Sequence, residues 1–156
     1  APAIEEEALV LFESGAIALY IAEKGEALLP RDRIGRARAT AWVFAALNSM
    51  EFGIMQPVLI DVFHKGEAWT VERRPQVVAF LKNRLGLLAQ ALGEKDYLEG
   101  GFTVGDLMMS DVLRILNGGD MLDDFPTLKA YKERCEARPA FRRALKAQLE
   151  RFAKAA

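Results

Sequence analysis

Residues 101–116, GFTVGDLMMSDVLRIL, place Thr103 and Asp106 three positions apart at the head of an apolar run. At that spacing the Thr103 hydroxyl can accept an N–H of the first helical turn while the Asp106 carboxylate reaches back to the Thr103 N–H. This is a capping box in its Asp form, with Phe102 and Leu107 as the hydrophobic staple. Such a cap contributes about 1 kcal/mol, and more where the helix crosses a core and unpaired N–H groups would be stranded. The pattern therefore predicts a buried helix from about 104, and it accounts for Asp106 as a structural acid in preference to a catalytic one.

Helical signals continue on both sides. Downstream, Gly118-Gly119 closes the helix, Pro126 suits the first turn of the next, and Arg138-Pro139 separates two final pieces. The last piece is amphipathic, with Phe141, Leu145, Leu149 and Phe152 opposite Arg142, Arg143, Lys146, Arg151 and Lys154. Upstream, Val78, Leu81, Leu85, Leu88 and Leu92 predict a buried stripe that Thr70 caps and Gly93 ends. Before it, Asp32 is placed to cap a long helix over 33–56, which Pro57 should kink or end because it lacks a donor N–H. The segment 58–63 reads as a bent continuation, stopped by Lys65-Gly66.

The first thirty residues differ. Leu9, Val10, Leu11 and Phe12 form a brief apolar run that predicts a buried strand. After Ser14, Ile17, Tyr20 and Ile21 follow the helical period, and Gly25 can take the left-handed conformation that ends a helix. Ser14 is thus a candidate N-cap. Two readings of the Glu13-Ser14 pair stay open here: a plain cap beside a solvated acid, or a helix start that binds a carboxylate while Glu13 holds an ammonium.

Composition bounds the function. With 156 residues, 51% hydrophobic and 28% charged, the chain suits one ordinary globular core. A net charge of −1 argues against a surface that neutralises many phosphates, so nucleic acid is not an expected partner. Acids rather than cations mark the N-terminus, and no apolar stretch approaches the roughly 20 residues of a spanning helix, so no membrane is expected and the cytoplasm is the default location. Cys135 and His64, one of each, fit packing and helix-end roles better than catalysis or metal binding, and no metal is expected.

Four ordered motifs resemble the glutathione transferase family. The first runs Pro2-x-Ile4, Leu9-x-Leu11-x-Glu13-Ser14-x-Ala16-Ile17, Tyr20-x-x-Glu23-Lys24, and is similar to the end of that family's thioredoxin-like domain. PRDRIGRARATAWVFAALNSMEF (30–52) resembles its fourth helix, FTVGDLMMSDVLRIL its buried sixth helix, and FPTLKAYKERCEARPAFRRAL (125–145) its usual ending. The resemblance implies a mostly α fold: the family's C-terminal helical bundle (28–156), preceded by a β-hairpin and helix remnant of the thioredoxin-like α/β domain (1–27). It further implies that Glu13 and Ser14 hold the γ-glutamyl end of glutathione, that Pro2 is the family's cis-proline, and that the Ala1 backbone pairs with the cysteinyl part. Asn48, Glu51 and Phe52 would face an electrophilic or apolar second substrate. The family's thiol-activating Tyr, Ser or Cys lies in a segment this chain is expected to lack, so the chain alone is expected to be inactive. The parent protein would be a cytosolic detoxifying transferase and a homodimer. The alternative is a non-catalytic, transferase-like helical interaction module.

Overall fold

The computed structural model describes residues 3–155. It begins with an antiparallel hairpin, β1 (Ala3–Glu6) and β2 (Leu9–Phe12), in register Ala3 to Phe12 and Glu6 to Leu9. Among the described residues seven α-helices and one π-helical segment follow, so the fold is mostly α with one small sheet. They are α1 (Ser14–Glu23), α2 (Arg33–Phe44), a π-helical segment (Ala45–Glu51), α3 (Phe52–Phe63), α4 (Ala68–Leu92), α5 (Val104–Leu113), α6 (Pro126–Glu136) and α7 (Pro139–Ala155). Short 3₁₀ turns at Arg114–Leu116 and Met121–Asp124 join α5 to α6.

α5 is the hub. Val104, Asp106, Met109 and Leu113 are wholly buried there, with α2 and the π segment on one side and α6 on another. Gly105 sets the closest approach: a Cβ at that position would lie 2.5 Å from the Trp42 Cβ and 3.1 Å from the Ala39 carbonyl. Only a residue without a side chain lets the α2 and α5 backbones meet so closely. The Val104 N–H also donates to the Leu28 carbonyl at 2.8 Å, tying the segment after α1 to the hub.

The capping box is complete. The Thr103 hydroxyl accepts the Gly105 N–H at 3.2 Å, and Asp106 Oδ2 accepts the Thr103 N–H at 2.9 Å. Asp32 likewise caps α2 by accepting the Gly35 N–H at 2.8 Å, and Gly93, at φ 57°, ends α4.

The helix continues past Pro57 over 58–63, as expected: α2, the π segment and α3 form one continuous 31-residue helix, Arg33–Phe63. Pro57 forfeits only the bond to the Gly53 carbonyl, and burial of Ile54, Pro57 and Ile60 on one face compensates for it. By length and composition this helix could cross a membrane, contrary to the expectation that none could. In the fold it is a core helix, with Ala39, Val43, Ala46 and Ile54 inaccessible to solvent. Thr70 is not a cap but a first-turn residue whose hydroxyl donates to the Glu67 carbonyl at 2.6 Å. Val77, four residues before Leu81, is the buried start of the α4 stripe, with Val78 half-buried beside it. The left-handed conformation foreseen for Gly25 is not adopted.

The strand at 9–12 forms but is not buried. Alternation points Leu9 and Leu11 one way and Val10 and Phe12 the other, and Val10 and Phe12 are each 66% exposed because two strands with one helix against them leave a sheet face uncovered. Leu149 and Phe152, on the distal half of α7, are also exposed.

Candidate functional site

The β2–α1 junction is built by a backbone that most residues avoid. Glu13 sits at φ 71°, ψ 122°, a conformation that costs a residue with a side chain of order 1–3 kcal/mol. Its carbonyl accepts the Ile17 N–H at 3.0 Å and so starts α1. Glu13, rather than Ser14, is therefore the N-cap residue, and Ser14 is the first helical residue; no side chain caps this start. The leading N–H groups of α1 are thus left without a side-chain cap, with their partial positive charge next to the exposed residue Glu13.

Gly15 brings this junction against the long helix. A Cβ there would stand 2.7 Å from Leu47 Cδ1 and 3.3 Å from Val43 Cγ1. The first turn of α1 thus lies on the end of α2 and the beginning of the π segment. Asn48, exposed, and Glu51, half-buried, belong to that segment, and Phe52, 59% exposed, follows it. The structure therefore places the two predicted groups on neighbouring elements. The π turn was not foreseen from sequence: its wider winding is a local choice imposed by packing, and such turns recur at functional sites. Ala1 and Pro2 lie outside the described residues.

Other motif residues turn out to be ties between elements. Tyr20 donates to Glu6 at 3.0 Å and Lys24 pairs with the same carboxylate; these hydrogen bonds, Lys24 first, hold Glu6 below the usual carboxylate range. Glu23 accepts from Arg36 at 2.8 Å and joins α1 to α2. The Trp42 indole donates to Glu99 at 2.8 Å.

Asp106 is no surface acid. It is fully buried and accepts from the Leu98 N–H at 2.8 Å, the Thr103 N–H, the Thr103 hydroxyl at 3.1 Å and the Tyr131 hydroxyl at 3.0 Å. Every lone pair is engaged, so no proton-transfer role is left to it. Burial, and then the Asp106 charge, push the Tyr131 phenol far above its ordinary pKa. Cys135 is 2% exposed, and burial followed by the same charge pushes its thiol up to about 11. A thiol so held is protonated at neutral pH and is not a nucleophile. His64 ends α3, hydrogen-bonded to Glu67 at 2.8 Å and edge-on to Trp69. Among the described residues, no three His, Cys, Asp or Glu side chains gather to hold a metal.

Comparison with known proteins gives a consistent result. Residues 54–148 match the family described as glutathione S-transferase, C-terminal domain. Glutathione S-transferase F11 of Arabidopsis thaliana is 30% identical, over 91% of this chain and 72% of its own length. The disulfide-bond oxidoreductase YfcG of Escherichia coli is 30% identical, over 95% and 69%. A glutathione transferase of Burkholderia graminis, solved with two glutathione molecules per subunit, superposes with a TM-score of 0.81 at 32% identity. The superposition covers 88% of this chain and 60% of that one, so it spans less than two thirds of that structure's length.

Proposed function

Since this chain belongs to the glutathione S-transferase family of enzymes, we propose that Glu13 and Ser14 hold the γ-glutamyl end of glutathione. The whole protein would then transfer the tripeptide's sulfur to an electrophilic small molecule. The observation that carries this reading is the strained Glu13 at the uncapped start of α1. A γ-glutamyl group bears one ammonium and one carboxylate. The Glu13 carboxylate suits the first; the N–H groups and hydroxyl at Ser14 suit the second. Strain of this kind persists where a site requires it.

In the transfer, the thiolate sulfur bonds to the electrophilic carbon as the leaving group departs with its electron pair, and the thiol proton passes to solvent or a base. The described residues contribute binding and orientation to this step. Asn48 and Glu51, in the π segment whose Leu47 meets Gly15, and Phe52 just after it are our assignment for the second-substrate side. We assign residues 1–27 to a thioredoxin-like glutathione-binding part and 28–156 to the helical domain. On the same reading the full protein is a cytoplasmic, detoxifying homodimer, and the Ala1 backbone and Pro2 complete the cysteinyl contact.

Calorimetric titration with S-methylglutathione tests the assignment. Glu13→Ala should weaken binding at least tenfold. Ser14→Ala should weaken it less, because the backbone N–H groups remain. Binding indifferent to both substitutions would refute the site. No binding at all, with folding intact, would favour a helical interaction module.

A further inference from the structure

Glu13 and Ser14 lie between two anchored points. On one side, Phe12 is held in the hairpin ladder opposite Ala3. On the other, Gly15 is buried against the long helix, where a Cβ would stand 2.7 Å from Leu47 Cδ1 and 3.3 Å from Val43 Cγ1. The chain must pass from strand to helix between these points, and Glu13 absorbs the change of direction by taking φ 71°. A conformation of that kind persists only where its surroundings impose it.

The anchor at Gly15 is made by packing. The side-chain ties of α1 to its neighbours lie toward its other end, where Tyr20 and Lys24 reach Glu6 and Glu23 accepts from Arg36. At the first turn no side chain caps the helix, and the N–H groups of Ser14 and Gly15 are among those that the helix itself leaves free. Where those groups stand therefore follows from where Gly15 is seated. Of the two residues that seat it, Val43 belongs to regular α2 and is wholly buried, whereas Leu47 belongs to the π segment and is half-buried.

We propose that Leu47 is a positioning residue for glutathione: its contact with Gly15 holds Glu13 and the first N–H groups of α1 in the geometry that receives the γ-glutamyl group. The proposal rests on the assignment of that group to Glu13 and Ser14. Leu47 acts through Gly15 rather than on the ligand. A binding constellation left loose by about 1 Å loses much of its function, and an empty space opposite Gly15 would give the start of α1 that freedom.

Calorimetric titration of this chain with S-methylglutathione, well below its melting temperature, is the test. Leu47→Ala should weaken binding about fivefold, while Leu47→Met, which keeps the volume, should not. Gly15→Ala sets a methyl against Leu47 Cδ1 and should weaken binding about tenfold. In Gly15→Ala/Leu47→Ala the methyl occupies space that Leu47 vacates, so affinity should return to within about threefold of the parent. Val77→Ala, a buried truncation on α4, should lower the melting temperature and leave affinity unchanged. Glu13→Gly should raise the melting temperature less in the Leu47→Ala background, where the left-handed turn is no longer imposed. Affinity indifferent to Leu47→Ala and Gly15→Ala but weakened by Glu13→Ala would overturn the proposal and leave the glutathione site standing. So would a double variant without rescue, or an equal loss of affinity in Val77→Ala. A folded parent chain that does not bind S-methylglutathione would overturn both the site and the role of Leu47.

Discussion

Replacing Asp106 by alanine should unfold much of this protein's margin of stability without touching its surface. The carboxylate is fully buried and serves two backbone N–H groups, from Leu98 and Thr103, together with the Tyr131 hydroxyl. Alanine strands all three donors in a core closed to water. A stranded buried donor costs about 1–3 kcal/mol, so the lower half of that range already gives about 4 kcal/mol. Folds of this size have about 5–15 kcal/mol in total. With a denaturant dependence of about 2 kcal/mol per molar urea, the midpoint should fall by about 2 M. Asp106→Asn keeps the shape but offers one acceptor oxygen instead of two, and should cost about half as much. Tyr131→Phe removes a donor that Asp106→Ala would strand. The double variant should therefore be less destabilised than the sum of the singles, by about 1 kcal/mol. Urea unfolding followed by circular dichroism, with Glu72→Ala as an exposed control, gives all of these numbers. A loss under about 1.5 kcal/mol for Asp106→Ala, or strict additivity with Tyr131→Phe, would refute the account of a shared buried network.

Gly105→Ala should cost about 2 kcal/mol or more by urea unfolding despite alanine's better helix propensity, because the new methyl meets Trp42 Cβ at 2.5 Å and must push two backbones apart. Glu13→Gly should relieve the positive φ and raise stability by about 1 kcal/mol while weakening S-methylglutathione binding; a fall in stability would show that the backbone there is unstrained. Cys135 and Tyr131 are held protonated in the fold, Cys135 up to about 11 against an ordinary 9.0. Their raised values mean that this stabilisation is complete below about pH 9 and is lost as pH rises through 9 to 11. The melting temperature should accordingly drop across that window, and Tyr131→Phe with Cys135→Ala should flatten the drop. Ellman's reagent should react slowly with native Cys135 at pH 8 and fully after unfolding.

What could be read from sequence was what is decided locally. Thr103 and Asp106 announce their cap because both partners lie within one turn, and Asp32, Gly93 and Pro126 mark helix ends for equally short-range reasons. What could not be read depends on partners far along the chain. Tyr131 lies 25 residues from Asp106, and Trp42 57 from Glu99; no spacing rule connects them. At Pro57 the local cost is visible in the sequence, while the burial of Ile54, Pro57 and Ile60 that compensates for it is not. The run Leu9–Phe12 suggests burial by its composition, yet burial requires a covering layer that two strands and one helix do not supply. At the candidate site, the start of a helix beside Glu13 and Ser14 is legible in the sequence. Its left-handed backbone and the approach through Gly15 arise only once α1 meets Leu47 and Val43.

The π segment also makes the long helix sensitive to chain length. Each residue added to or removed from a helix rotates everything beyond it by about 100°. Loss of one residue between Ala45 and Glu51 would let the wide turn relax to ordinary α winding and keep the face that carries Ile54, Pro57 and Ile60 toward α4, whereas one more residue would swing that face away. The Gly118-Gly119 turn, exposed and between helices, can absorb such a change. Insertions during divergence should therefore accumulate at that turn and be purged from 45–51, where substitutions and the loss of the one extra residue remain tolerable.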